Sequence, residues 1–99
     1  MRHPSKKAVR IYNNTAWRIM RDVDGGIEYD VTTLSEANIT LNTIRDLSQL
    51  NDNYERNAMT GLRVCTDPET VKYMRDKMEV ARRMRATIES VREELVRNA

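Results

Sequence analysis

The sequence predicts an α+β protein: an N-terminal three-stranded antiparallel β-meander, then a long antiparallel helical hairpin, with two chains dimerising through the helices. Three observations predict it. Apolar residues fall on alternate positions between residues 8 and 32, and from Thr33 onward they recur at steps of three and four. Residues 67–98 read as one uninterrupted, capped, amphipathic helix. The domain plan is a mobile basic tail (1–7) and one domain (8–99), divided into meander (8–32), first helix (33–60) and second helix (67–98).

The tail is polar, carries Pro4 in its middle and has nothing to bury. In the meander, Val9 and Ile11, Trp17 and Ile19, and Ile27, Tyr29 and Val31 set the period of two. Asn13-Asn14 and residues 22–26 supply the turns. With Gly25 left-handed in a three-residue loop, Ile19 faces Tyr29 and Trp17 faces Val31. The other side then pairs Arg18 with Asp30 and Met20 with Glu28, and Trp17 anchors the sheet on the hairpin.

The first helix opens on Thr33-Leu34-Ser35-Glu36, a capping-box pattern. Its apolar face is Leu34, Ala37, Leu41, Ile44, Leu47, Leu50, Tyr54 and Ala58, and it ends near Gly61. Asn51-Asp52-Asn53, three poor helix formers, is where it would kink or fray. Asp67-Pro68 restarts the chain with an N-cap and a proline in the first helical position. So short a connector makes the two helices antiparallel neighbours.

A helix of that length is about 45 Å long. A compact chain of this size has a radius of gyration of about 13 Å, so the expectation is that the helix needs a partner. Its stripe is Val71, Met74, Met78, Ala81, Met84, Ile88, Val91 and Leu95, one residue short of a heptad alternation between Ala81 and Met84. Either the first half packs within the chain while the second meets another chain, or the helix bends under a wide stripe. The candidate oligomer interface is Met74, Met78, Met84, Ile88, Val91 and Leu95. The methionines read as core packing or as an adaptable surface for a protein partner.

Composition narrows the function. Only 5% of residues are aromatic and none is Phe, so aliphatic side chains and six Met must do the packing. Seventeen cations against fifteen anions leave +2, too small an excess for long-range attraction to nucleic acid. Cys65 is alone, which excludes an intrachain disulfide and fits a reducing compartment. No apolar run is of membrane-spanning length and no signal segment opens the chain, so a soluble, cytoplasmic protein is expected.

The chemistry of a catalyst is hard to assemble from these residues. His3, the only histidine, lies in the tail, and Cys65 has no histidine near it in sequence. There is no glycine-rich phosphate loop, serine nucleophile motif or metal-ligand spacing, so no enzyme, cofactor or metal is expected.

Basic residues offer binding candidates instead. Arg2, Lys6, Lys7 and Arg10 cluster at the start, Arg82, Arg83 and Arg85 in the last helix, and Arg75, Arg82 and Arg92 read as a row along it. Anions four residues away (Arg75 with Glu79, Glu79 with Arg83, Arg85 with Glu89, Glu93 with Arg97) read as an ordinary solvated surface. Arg10, Tyr12 and Arg18 would lie together on the outer face of the meander, cations beside a ring.

The leading expectation is a small non-enzymatic regulator or inhibitor that binds another macromolecule, the kind of chain that phage and mobile-element genomes supply in number. The alternative is a nucleic-acid-binding dimer using the arginines and the basic tail. The third is capture of a small anionic ligand such as a nucleotide by Arg10, Tyr12 and Arg18.

Overall fold

In the computed structural model, which describes residues 12–98, those residues fold into four α-helices and include no strand. They are α1 (Asn14–Asp24), α2 (Val31–Glu36), α3 (Leu41–Val64) and α4 (Pro68–Arg97). The predicted β-meander is therefore wrong, and the protein is helical rather than α+β. Its first strand, residues 8–11, lies outside the described residues.

The reason is visible in α1. Ala16, Ile19, Met20 and Val23 are its buried residues, spaced i, i+3, i+4, i+7, the signature of one helical face. The Trp17–Ile19 alternation is too short to outweigh that set once Ala16 and Met20 are counted as core. Asn13 caps the helix by accepting the Thr15 N–H at 2.8 Å. Its own N–H donates to the Asp46 carboxylate of α3 at 2.9 Å. Trp17 is only partly buried at the edge of the core, with the Arg21 guanidinium 5.2 Å from its ring centroid.

The third predicted strand is equally absent. Ile27 and Tyr29 lie in the loop between α1 and α2, and Val31 begins α2. Gly26, not Gly25, takes the left-handed conformation, with φ 96°. None of the four cross-strand pairs exists: Met20 is in the core, Glu28 pairs with Arg83, and Asp30 caps α2.

The single helix predicted over 33–60 is two helices. Asp30 starts the first, its carboxylate accepting from the Thr33 N–H at 2.7 Å and the Thr33 hydroxyl at 2.8 Å. Thr33 is therefore inside α2 and not its cap. Asn38, with φ 52°, then turns the chain in a conformation asparagine tolerates better than most residues. Thr40 caps α3 by accepting from the Thr43 N–H at 3.2 Å.

From there α3 runs through the expected weak point at Asn51-Asp52-Asn53 and past Gly61, its expected end. Asn51 is 1% exposed and its Nδ2 donates to the Ala81 carbonyl at 2.9 Å, so tertiary contact compensates for poor helix propensity. A Cβ on Gly61 would lie 2.8–3.1 Å from the Met74 side chain. The glycine's bare backbone thus admits Met74, and α3 continues to Val64.

The antiparallel hairpin of α3 and α4 is as the sequence predicts. Asp67 caps α4, accepting from the Thr70 N–H at 3.0 Å, with Pro68 in the first turn. One core unites the helices. Ala16, Ile19, Met20 and Val23 of α1 and Leu34 of α2 meet Ile44, Leu47, Leu50 and Tyr54 of α3 and Ala81, Met84, Ile88 and Val91 of α4. Helix α1 lies mainly on α3 and α2 on α4, so the two short helices occupy the place expected of the sheet. The molecule measures 47 × 28 × 18 Å, its long dimension that of α4.

Candidate functional site

At the end of α1 the chain turns back on itself. The Gly25, Gly26 and Ile27 N–H groups donate to the carbonyls of Arg21, Val23 and Asp22 at 2.9–3.0 Å. The loop that follows runs beside α4 without closing on it. Between them lies a groove of about 260 Å³ with apolar walls from Val23, Ile27, Val80 and Met84. Tyr29, Glu28, Asp30, Arg83 and Thr87 add its polar groups.

Tyr29 is held in place from behind. Its hydroxyl donates to the Asp22 carboxylate at 2.7 Å, and that hydrogen bond, with burial, raises its pKa above the ordinary tyrosine value. Arg83 Nη1 approaches Glu28 Oε1 at 3.3 Å, joining helix to loop. Both side chains are largely in water, so this pair is weak and exchangeable. Ile27 is 55% exposed beside it and forms an apolar part of the groove's rim.

The root of the loop is fixed more firmly. Lys77 is 8% exposed, and its Nζ donates to the Asp24 carboxylate at 2.7 Å. The ammonium lies 4.3 Å from the Tyr73 ring centroid and 5.1 Å from that of Tyr54. Burial alone would lower the lysine pKa, but the Asp24 carboxylate and the two tyrosines outweigh it and hold the ammonium above its ordinary value. Burial raises the Tyr54 phenol, against the opposing pull of Lys77. One charge thus ties the end of α1 to α3 and α4. The sequence reading missed it, although Lys77 stands three residues after Met74 and four before Ala81, on the apolar stripe.

The predicted site residues do not converge. Arg10 is outside the described residues. Without a sheet there is no outer face to gather Tyr12 and Arg18: Tyr12 packs against the core with its hydroxyl 3.4 Å from Asn53 Nδ2, and Arg18 is exposed on α1. The arginine row also fails. At about 100° per residue, Arg82 sits about 20° from Arg75 around the helix but Arg92 sits about 100° away.

Arg92 pairs with Glu89 at 2.6 Å. Arg85 reaches Glu55 and Asp52 of α3, and its hydrogen bond to Glu55 raises its pKa. The expected i,i+4 ion pairs do not form among the described residues, where Arg75 and Arg82 are exposed with no ionic partner. Of the predicted binding arginines, only Arg83 lines the groove.

The predicted interface is largely interior. Met84, Ile88 and Val91 are 1–4% exposed within the chain's own core, and Leu95 packs against it. Met74 fills the space above Gly61, and Met78 is half-buried. Helices α1 and α2 cover the second half of α4, so that half needs no second chain to shield it.

Among the described residues, no three His, Cys, Asp or Glu side chains gather as a metal site would require. No helix there is long and apolar enough to cross a membrane. Comparison of the chain with models of protein families, with curated proteins and with solved structures gives no match.

Proposed function

We propose that the chain is a small, non-enzymatic regulatory or inhibitor protein that acts in the cytoplasm as a homodimer and works by binding another protein. The observation that carries this reading is the groove beside α4, open to solvent and rimmed by the exposed Ile27. Its volume suits one or two large apolar side chains rather than a whole small-molecule ligand, for which pockets of about 300–1,000 Å³ are usual. Tyr, Met and Arg are the residue types that concentrate at protein interfaces, and here Tyr29, Met84 and Arg83 stand together. Binding there would work by occlusion, with Arg83 and Glu28 free to exchange their mutual pairing for charges on the partner.

The test is affinity capture from cells that express the protein, comparing the wild type with Thr87→Trp, which fills the groove, and Ile27→Asp, which charges its rim. A specific partner should be retained by the wild type and lost, by at least tenfold in yield, from both variants. Equal retention by all three would remove the groove from the interaction.

One observation favours a second reading, nucleic-acid binding: Arg75 and Arg82 lie on one line of α4 with neither engaged by an acid among the described residues. Two contacts alone would make log affinity fall with a slope of only about −2 in log salt. The protein-binding reading expects no association with duplex DNA or RNA at physiological salt. A steeper slope, reduced by about one in Arg82→Ala, would favour the nucleic-acid reading.

A further inference from the structure

Asp24-Gly25 is the one place in the chain where an aspartate or asparagine precedes glycine. With no side chain on the second residue to obstruct its nitrogen, this dipeptide is where an aspartyl side chain most readily closes on the main chain. The Gly25 nitrogen attacks the carboxyl carbon of protonated Asp24. The carboxyl hydroxyl and the amide proton leave together as one water, and a five-membered succinimide forms. Water then opens the ring at either carbonyl. One opening restores aspartate, and the other leaves the main chain running through the Asp24 Cβ as an isoaspartate, so the sequence needs no co-reactant and changes no atom count.

Both reacting groups are held elsewhere in the fold. The Asp24 carboxylate accepts from Lys77 Nζ at 2.7 Å, and the Gly25 N–H donates to the Arg21 carbonyl at 3.0 Å. Asp24 is also the last residue of α1, where the Cα–Cβ bond tilts toward the helix N-terminus and away from the following nitrogen. Lys77 holds the carboxylate from α4, with its own side chain 9% and that of Asp24 16% exposed.

We propose that Asp24-Gly25 is a covalent modification site, an isoaspartate-forming dipeptide that the Lys77 ion pair holds off and whose rate follows the opening of that pair. Reaction requires the carboxylate to leave Lys77 and the last turn of α1 to loosen, so the folded chain reacts only from a locally opened state. The product then keeps the pair open. An isoaspartate carries its carboxylate directly on Cα, one carbon short of the reach of Asp24, and Lys77 loses its partner much as it would in Asp24→Ala. The loop that walls the groove would also begin one main-chain atom further from α1.

The test incubates the full chain near neutral pH at physiological temperature. Isoaspartate is read on the tryptic peptide spanning residues 22–45, which keeps its mass but changes its elution and backbone fragmentation. Urea-unfolded wild type should accumulate it, and folded wild type at least about tenfold more slowly. Lys77→Met, shown to be folded by circular dichroism, should react at least about fivefold faster than folded wild type. Gly25→Ala should form little even when unfolded. The fold accepts that alanine, since φ is −80° and an added Cβ meets only the Asp22 and Arg21 carbonyls at 3.4 and 3.6 Å.

Modification of folded wild type at the unfolded rate, or mapping of the isoaspartate to another residue, would overturn the proposal. So would folded Lys77→Met that reacts no faster than wild type. Wild type in urea below its unfolding transition applies the same test without a substitution: the rate should climb as the ion pair opens, and a rate unchanged until global unfolding would remove Lys77 as the gate.

Discussion

Asp24→Ala is expected to destabilise the protein by about 3 kcal/mol, because it leaves the Lys77 ammonium inside the fold without its carboxylate. The lower end of the usual range applies, since the Tyr54 and Tyr73 rings still face the charge and Asp24 is not fully buried. For a domain of this size the change corresponds to a fall in Tm on the order of 15 °C. Adding Lys77→Met should recover much of the loss, since an apolar side chain of similar length does not require the carboxylate. Thermal or urea unfolding of wild type, single and double variants measures this directly. If Asp24→Ala costs under about 1 kcal/mol, the ion pair is not a clamp.

Three groups, two of them in this cluster, set the alkaline limit. Lys77, Tyr54 and Tyr29 all have folded pKa values raised above ordinary values of 10.5 for lysine and 10.0 for tyrosine. Between its unfolded and folded pKa such a group binds more protons in the native state, so stability falls as pH rises. Their contributions are complete below about pH 10 and are lost as pH climbs through the raised folded values. A flat stability profile from neutral pH up to that point, with a decline beyond it that is shallower in Lys77→Met, is the expected pattern.

Ile88→Ala separates the interior reading of α4 from the interface reading. Ile88 is 1% exposed in the isolated chain, and truncating it should cost about 3 kcal/mol through lost burial and the cavity left behind. Ile88→Val should cost about 1 kcal/mol, which keeps the comparison measurable if the alanine variant unfolds. In both variants the folded fraction should retain the mass of the wild type. Dissociation of a folded dimer into folded monomers would instead return Ile88 to an intermolecular contact.

How much of this was legible is best judged residue by residue. Asp67-Pro68, the hairpin and the core role of Ala81, Met84, Ile88 and Val91 follow from capping chemistry and spacing, which act locally. Residues 14–31 were misread because a period of two and a period of 3.6 share positions over so short a span. Ala16, which falls outside the Trp17–Ile19 alternation, was the missing member of the helical set. At the start of α2, Asp30-x-x-Thr33 and Thr33-x-x-Glu36 both have cap spacing, and the carboxylate prevailed because it reaches two donors on Thr33.

The groove had no local signature, since it exists only where a loop from one end of α1 passes a helix fifty residues later. Within α4 the neighbouring Met78 took the stripe position in the pattern, so Lys77 passed for surface charge. Arg83 was found for its charge, not for its place.

Asn51 has a consequence for the alignment of the hairpin. Its amide reaches a main-chain oxygen on α4 at Ala81, where the side chain is a single carbon and fully buried. Sliding α4 by one turn, about 5.4 Å, would bring Lys77 and Met78 or Met84 and Arg85 to that point and bar the amide from the backbone. The two long helices therefore fit like a key in its keyway, and the notch is cut at one residue.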